Sequence, residues 1–544
     1  MTKTSALAML FLIFIVFNTS EGEAGCNGSC EIIDEQKWTV ELDTHLWDEE
    51  IKIKSLDVLV GASLKLENVT VEISNEVTLR GHTEWRDSNI SLYQEELSNN
   101  VFVHSSLNII SSEIYIYYDR NSTSIFYDDG FAQGFYLHEG SQLVVQDTDD
   151  NDTTIEDATV IRPVGYNKLN FAFNYATWEI LSEDSPNTRV TIRNSILIDN
   201  WQSKIYGDNT VFQNNKLYGD RDIYFYGNNL TYLNNEHNAK ELNETRSNVG
   251  GARIYGGDNS TLVSNIFENG YSGFFVAAAT NTTIRENYFV NLASNAITSG
   301  TYYFNYTNSL IVQNNTFINA STALYGANMS NVVFANNNIS YGSGSFASWF
   351  SGSEIYVHNN SFSYCGTSCI ILTNLGYGFN KNIIIYNNIF YNYSGSGIFL
   401  GTQTTPHENI DIFNNKFTNG GSGVTSDAWY AYTKMQNNVE IKLNELNNLN
   451  YGFQLTIIGG SDFYLHNNTI NNVSYGVKII GSNVYMENIT IESNIISSDI
   501  NGILYTCGIY DTDFRNNKIQ HNIIQSNGYS VSVDSCEGYI LFFN

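Results

Sequence analysis

Proline is almost missing, with three residues in a chain of 544. That scarcity excludes a string of proline-rich linkers, so one long array is expected rather than several tethered domains. Basic residues are also scarce. There are 26 Lys and Arg against 56 Asp and Glu, a net charge of −30, and such a surface repels nucleic acid and anionic lipid while suiting cations or basic partners. Beyond residue 24 no apolar run reaches the roughly 20 residues that a membrane-spanning helix needs, so no transmembrane segment is expected. What remains is 42% hydrophobic and 14% aromatic, enough for a large core and too apolar for a disordered chain.

Residues 1–24 read as a signal peptide: Lys3 supplies the positive end, Ala6 to Phe17 the apolar run, and Gly22, Glu23 and Ala24 a small-x-small cleavage site. The product is expected to be secreted or held at the cell surface. Six cysteines fall as Cys26 and Cys30, Cys365 and Cys369, and Cys507 and Cys536. No histidine stands at a zinc-ligand spacing from them, so disulfides are expected. Cys507 and Cys536 lie about one repeat apart, which predicts a bond between neighbouring coils.

The repeat is carried by asparagine. Segments such as IYVHNNSF, IIIYNNIF and IDIFNNKF align on their second asparagine to give one column: Asn265, Asn287, Asn315, Asn337, Asn360, Asn388, Asn415, Asn444, Asn468, Asn494 and Asn517. Asn194 and Asn215 extend it upstream. The spacing averages about 25 residues, the length of a solenoid unit that must stack on its neighbours to bury its apolar face. An apolar residue stands three before each asparagine (Val312, Phe334, Val357, Ile385, Ile412, Ile441, Leu465, Ile491, Phe514) and another two after it, so short period-2 strands flank a turn. A second strand opens on a small residue at Gly273, Gly397, Gly452, Gly476 and Gly502. Asparagine tolerates the left-handed backbone of a tight turn, and stacked amides at about 4.8 Å can form a hydrogen-bonded ladder. The expected fold class is all-β, a parallel β-helix with an asparagine-ladder turn. Residues 189–544 would hold regular repeats and 25–188 a β-rich cap with early coils, irregular over 74–188.

These features resemble the right-handed parallel β-helix proteins of the pectin-lyase-like superfamily, whose members include polysaccharide-active enzymes, surface β-helix proteins and periplasmic copper-maturation proteins. The resemblance implies the right-handed solenoid but leaves the activity open. Polygalacturonase-like signatures on successive coils are largely missing. The Asp-Pro-His-Asp motif of mannuronan epimerases has only Thr405, Pro406, His407 and Glu408 as a counterpart, with both aspartates replaced. Nine scattered histidines and five methionines do not supply copper-ligand clusters.

Outward columns offer an independent search. Four residues before the ladder stand Ile384, Asp411, Glu440, Tyr464, Thr490 and Asp513; two before it, Tyr386, Phe413, Lys442, His466, Glu492 and Arg515. Asp411 and Glu440 are therefore expected as lateral neighbours beside Lys442 and His466, with His407 and Glu408 just upstream. That quartet is the predicted acid/base or cation site. Asp147, Asp149 and Asn151 have oxygen-ligand spacing for calcium, the one cofactor the sequence suggests, though the glycine and closing glutamate of a calcium loop are missing. A second outward column, Phe275, Thr298, Tyr325, Ala347, Ile371, Phe399, Thr425 and Gln454, could stack on sugar rings or on itself. Glycosylation sequons include Asn68, Asn89, Asn229, Asn259, Asn305, Asn328, Asn392 and Asn488. Two functions follow: a non-catalytic surface or extracellular protein that binds glycans, cations or further copies of itself, or a lyase, hydrolase or epimerase of acidic polysaccharide.

Overall fold

The computed structural model describes residues 25–28, 37–93, 101–117, 133–137, 142–146, 159–164, 178–182, 189–199, 204–219, 222–238, 251–300, 307–348, 352–374, 380–402, 407–428, 436–457, 462–481, 486–507, 513–534 and 537–543. Every regular element among them is a β-strand. The chain divides into two compact units, residues up to Ile198 and from Asp199 onward.

In the first unit Gly25–Asn27 runs antiparallel to Thr44–Trp47, and the following strands stack in parallel. Residues 74–188 are more regular than expected. Their described strands continue the solenoid, because serine performs the task given to asparagine elsewhere: Val69 N donates to Ser88 Oγ and Ser88 N to Ser112 Oγ, each at 3.1 Å. Asn194 is not a rung. It carries the left-handed bend at φ 50, and Ser195 beside it fills the buried slot.

The second unit repeats one coil. Residues with φ between 45 and 61 recur every five positions, as at Asn382, Asn387 and Asn392 or Asn409, Asn414 and Asn419, so short strands turn three successive corners. The first asparagine of each pair therefore takes the left-handed bend, and the second builds the ladder. Thirteen buried or half-buried residues, Asn215, Asn235 and Asn265 through Asn494 to Asn522, are joined Nδ2 to Oδ1 at 2.9–3.1 Å. Asn517 is not the last rung, and Asp513, Phe514 and Arg515 do not join their assigned columns. The strand Asp513–Gln520 pairs Ile491 with Ile519, which moves the rung five residues on. Asn517 instead sits at the preceding corner, accepting from Ile489 N at 2.9 Å. Two asparagine corners five residues apart are indistinguishable by residue type.

The inward residues fall as expected. Val312, Val357, Ile385, Ile412, Ile441 and Leu465 are fully buried, and Phe362, Phe390 and Phe417 stack at 5.0 and 4.5 Å along the core. Glycine opens the second strand because backbones meet there. A Cβ on Gly476 would lie 2.4 Å from Gly502 O.

Candidate functional site

Three successive strands, His407–Phe413, Gln436–Lys442 and Phe463–His466, pair in parallel. Alternation points Ile410 and Ile412 into the core and Asp411 and Phe413 outward. Register then sets Asp411 beside Glu440, and Lys442 beside both Phe413 and His466. The quartet is assembled by this stacking alone.

Lys442 Nζ lies 2.6 Å from Glu440 Oε2 and 3.4 Å from Asp411 Oδ2, and His466 Nε2 lies 2.7 Å from Glu440 Oε1. Lys442 also covers the Phe413 ring, which continues an aromatic stack from His358 through Tyr386. Partial burial raises Asp411 above the usual carboxylate range and, with Glu440 nearby, outweighs the pull of Lys442. Burial acts on Glu440 in the same sense, but hydrogen bonds from Lys442 and His466 overcome it and hold its carboxyl low. Lys442 is held above its ordinary value because its two carboxylate partners outweigh its own burial. Asp411 Oδ1 is buried and has no donor.

Beside the quartet runs an open groove lined by Glu354, Tyr356, Asn382, Asn409, Asp411 and Glu440, among others. Its rim is an outer amide ladder: Asn382 Nδ2 donates to Glu354 Oε1 at 2.6 Å, Asn409 to Asn382 at 2.9 Å and Asn438 to Asn409 at 3.1 Å. Sequence reasoning missed Glu354, Tyr356 and this rim. The five-residue corner spacing was the signal that could have found them, since Asn409 precedes Asn414 as Asn382 precedes Asn387.

His407 does not join the site. Its side chain is fully buried, its Nε2–H donates to the Gly401 carbonyl oxygen at 3.1 Å, and burial pushes its imidazole down to about 4. Thr405 and Pro406 lie outside the described residues, as do the proposed calcium ligands Asp147, Asp149 and Asn151 and the signal peptide. Among the described residues no group of three or more His, Cys, Asp or Glu is arranged to hold a metal ion. No helix among them is long and apolar enough to cross a membrane.

Cys365 and Cys369 are bonded, with Cα atoms 5.3 Å apart. Cys26 and Cys507 are also disulfide-bonded, whereas Cys30 and Cys536 lie outside the described residues. The sequon residues Asn68, Asn89, Asn229, Asn259 and Asn488 are exposed, Asn328 and Asn392 are half-buried, and Asn305 lies outside the described residues. The aromatic column from Phe275 to Gln454 is in register throughout, but alternates with Thr298, Ala347 and Thr425 and forms no continuous ring stack.

Residues 232–371 and 293–439 match a family described as "Right handed beta helix region". That match spans residues 232–439, and the parallel coils described above give the chain the fold that this description names, a parallel β-helix. Among solved structures it is similar to the Dettilon tailspike protein, at 13% identity and a TM-score of 0.30 over 59% of this chain and 60% of that one. The chain thus spans 60% of that tailspike's length. It is also similar to a mutant of the periplasmic alginate epimerase AlgG (12%, TM-score 0.31, 79% and 96%) and to the A-module of the Azotobacter vinelandii mannuronan C-5 epimerase AlgE6 (12%, 0.24, 80% and 91%). Identities and TM-scores this low carry nothing about activity. No curated protein matches the sequence significantly.

Proposed function

We propose that the protein is an exported, non-catalytic β-helix protein of the cell surface that binds glycan chains along the groove from Glu354 to Glu440. The groove carries this reading. It crosses four coils, about 14 Å at the spacing of stacked strands, and offers amides, carboxylates and the Tyr356 ring in one line. Those are the groups that hydrogen-bond sugar hydroxyls and cover an apolar sugar face. Lys442 argues against catalysis, because it bridges the two carboxylates where a glycosidase must admit the scissile bond.

The test is retention of the purified protein on a panel of neutral and acidic polysaccharides, with and without calcium. Wild type should be retained by at least one, and Glu354→Gln with Tyr356→Ala should weaken that retention at least tenfold. Failure of every polysaccharide to retain the protein sinks the reading. A second reading rests on the opposite pKa shifts of Asp411 and Glu440, which suit an acid and a base. Cleavage or epimerisation that disappears in Asp411→Asn and Glu440→Gln would favour an enzyme.

A further inference from the structure

The third corner of the coil carries an outer column: Asn269, Asn291, Asn319, then Tyr341 and Tyr364, then Asn392, Asn419 and Asn448, all with positive φ. On either side of the tyrosines the asparagines form an exposed amide ladder, with Asn319 donating to Asn291 and Asn448 to Asn419, each at 3.0 Å. At Tyr341 and Tyr364 it is interrupted. A bulky side chain at φ 61 or 56 is disfavoured where asparagine sits at ease, so the two rings are held there against the local preference of the column.

The rings stack at 4.6 Å, 4° from parallel, and remain 57% and 44% exposed. Tyr391, 43% exposed, meets Tyr364 edge-on at 6.4 Å. Among the described residues no other ring stacks on Tyr341, whose free face looks toward Asn319, and no donor reaches Asn319 Oδ1. Ser321 and Ser343 hydroxyls line the adjoining turn, 3.2 Å apart.

Charge supplies a separate observation. The second-sheet segments of five successive coils, 288–299, 316–326, 338–348, 361–374 and 389–402, contain no Asp, Glu, Lys, Arg or His, in a chain of net charge −30. The same coils carry Glu354, Lys381 and Glu408 on the other sheet. Such a surface has no counter-charge for an anionic ligand and no charged group to desolvate when an uncharged one binds.

The geometry points to a second binding site at this corner, in which a neutral sugar chain lies across Tyr341, Tyr364 and Tyr391 with its hydroxyls on the flanking amide and serine groups. Aromatic faces cover the apolar side of a pyranose, and the phenols, Asn319 Oδ1 and the hydroxyls satisfy its edges. The site stands on its own residues and does not require the groove.

Saturation-transfer NMR on the full chain with cellohexaose, mannohexaose, chitohexaose and, as an anionic control, a hexauronate would test it. At least one neutral hexasaccharide should show transfer. Tyr341→Asn with Tyr364→Asn, which returns the column to asparagine, should weaken binding at least tenfold with a melting temperature equal to or above wild type, while Tyr341→Phe with Tyr364→Phe should still bind. Transfer that survives Tyr356→Ala and vanishes in the asparagine pair belongs to the corner and not to the groove. Transfer to the hexauronate alone, wild-type binding in the asparagine pair, or lost binding together with a lowered melting temperature overturns the proposal. So does glycan-independent dimerisation that the asparagine pair abolishes, which would make the occupant a second copy.

Discussion

Asn414 and Asn415 are neighbours in sequence and divide the work of one corner. Asn414 is exposed at φ 54, whereas Asn415 is buried, reaching Ile385 O at 2.9 Å and Asn444 Oδ1 at 3.1 Å and accepting from Asn388. Asn415→Ala strands several buried polar groups and should cost about 3 kcal/mol. Asn414→Ala only places a Cβ in the left-handed region and should cost about 1 kcal/mol, with Asn414→Gly close to neutral. Urea midpoints of the three variants check the order, and equal losses at both positions would contradict it.

The corner assignment near the C-terminal coils predicts a residue-specific exchange pattern. Asn494 N donates to Asn522 Oδ1 and Ile489 N to Asn517 Oδ1, both at 2.9 Å. Hydrogen exchange should therefore accelerate first at Asn494 in Asn522→Ala and at Ile489 in Asn517→Ala. Acceleration at Asn494 in the second variant would restore Asn517 to the ladder.

His407 should make folding sensitive to mild acid. Burial holds its imidazole at about 4 against an ordinary 6.5, so between those values the unfolded chain takes up a proton that the folded chain refuses. Its contribution is fully present above pH 6.5 and is lost as pH falls, reaching about 3 kcal/mol near pH 4. His407→Gln should flatten that part of the stability profile. An unchanged slope would place the acid sensitivity elsewhere.

Lys442→Met should leave Asp411 and Glu440 facing one another without the ammonium that bridges them. A loss of about 1 kcal/mol is expected at pH 7, shrinking toward pH 4 as the carboxyls protonate. Chemical denaturation at the two pH values measures it. A loss independent of pH would mean that Lys442 acts through its packing on Phe413 rather than its charge.

Peptide mapping without reduction should find Cys365 joined to Cys369, and Cys507 joined to Cys536. A bond closing the longer loop is worth roughly 3 kcal/mol through the unfolded state. Cys507 joined to Cys26 or Cys30 would refute the pairing and the coil spacing that suggested it.

The solenoid was legible in residue types because its causes are local. An apolar residue three before and two after each asparagine must face inward in any period-2 strand, and an asparagine column must stack once the coils do. That was enough to place Asp411 beside Glu440 and Lys442 beside His466 without coordinates. Local causes could not distinguish one corner from the next. Asn517 and Asn522 differ only in which strand they pair with, and pairing is a contact between residues more than twenty apart in sequence. Tertiary stacking likewise decided that His407 is buried while Asp411 on the same strand lines a groove, that Lys442 fills the gap between two carboxylates, and that Tyr341 and Tyr364 meet face to face where asparagine would have rested more easily. Each depends on what the neighbouring coil presents at one height along the axis, a relation that chain order does not contain.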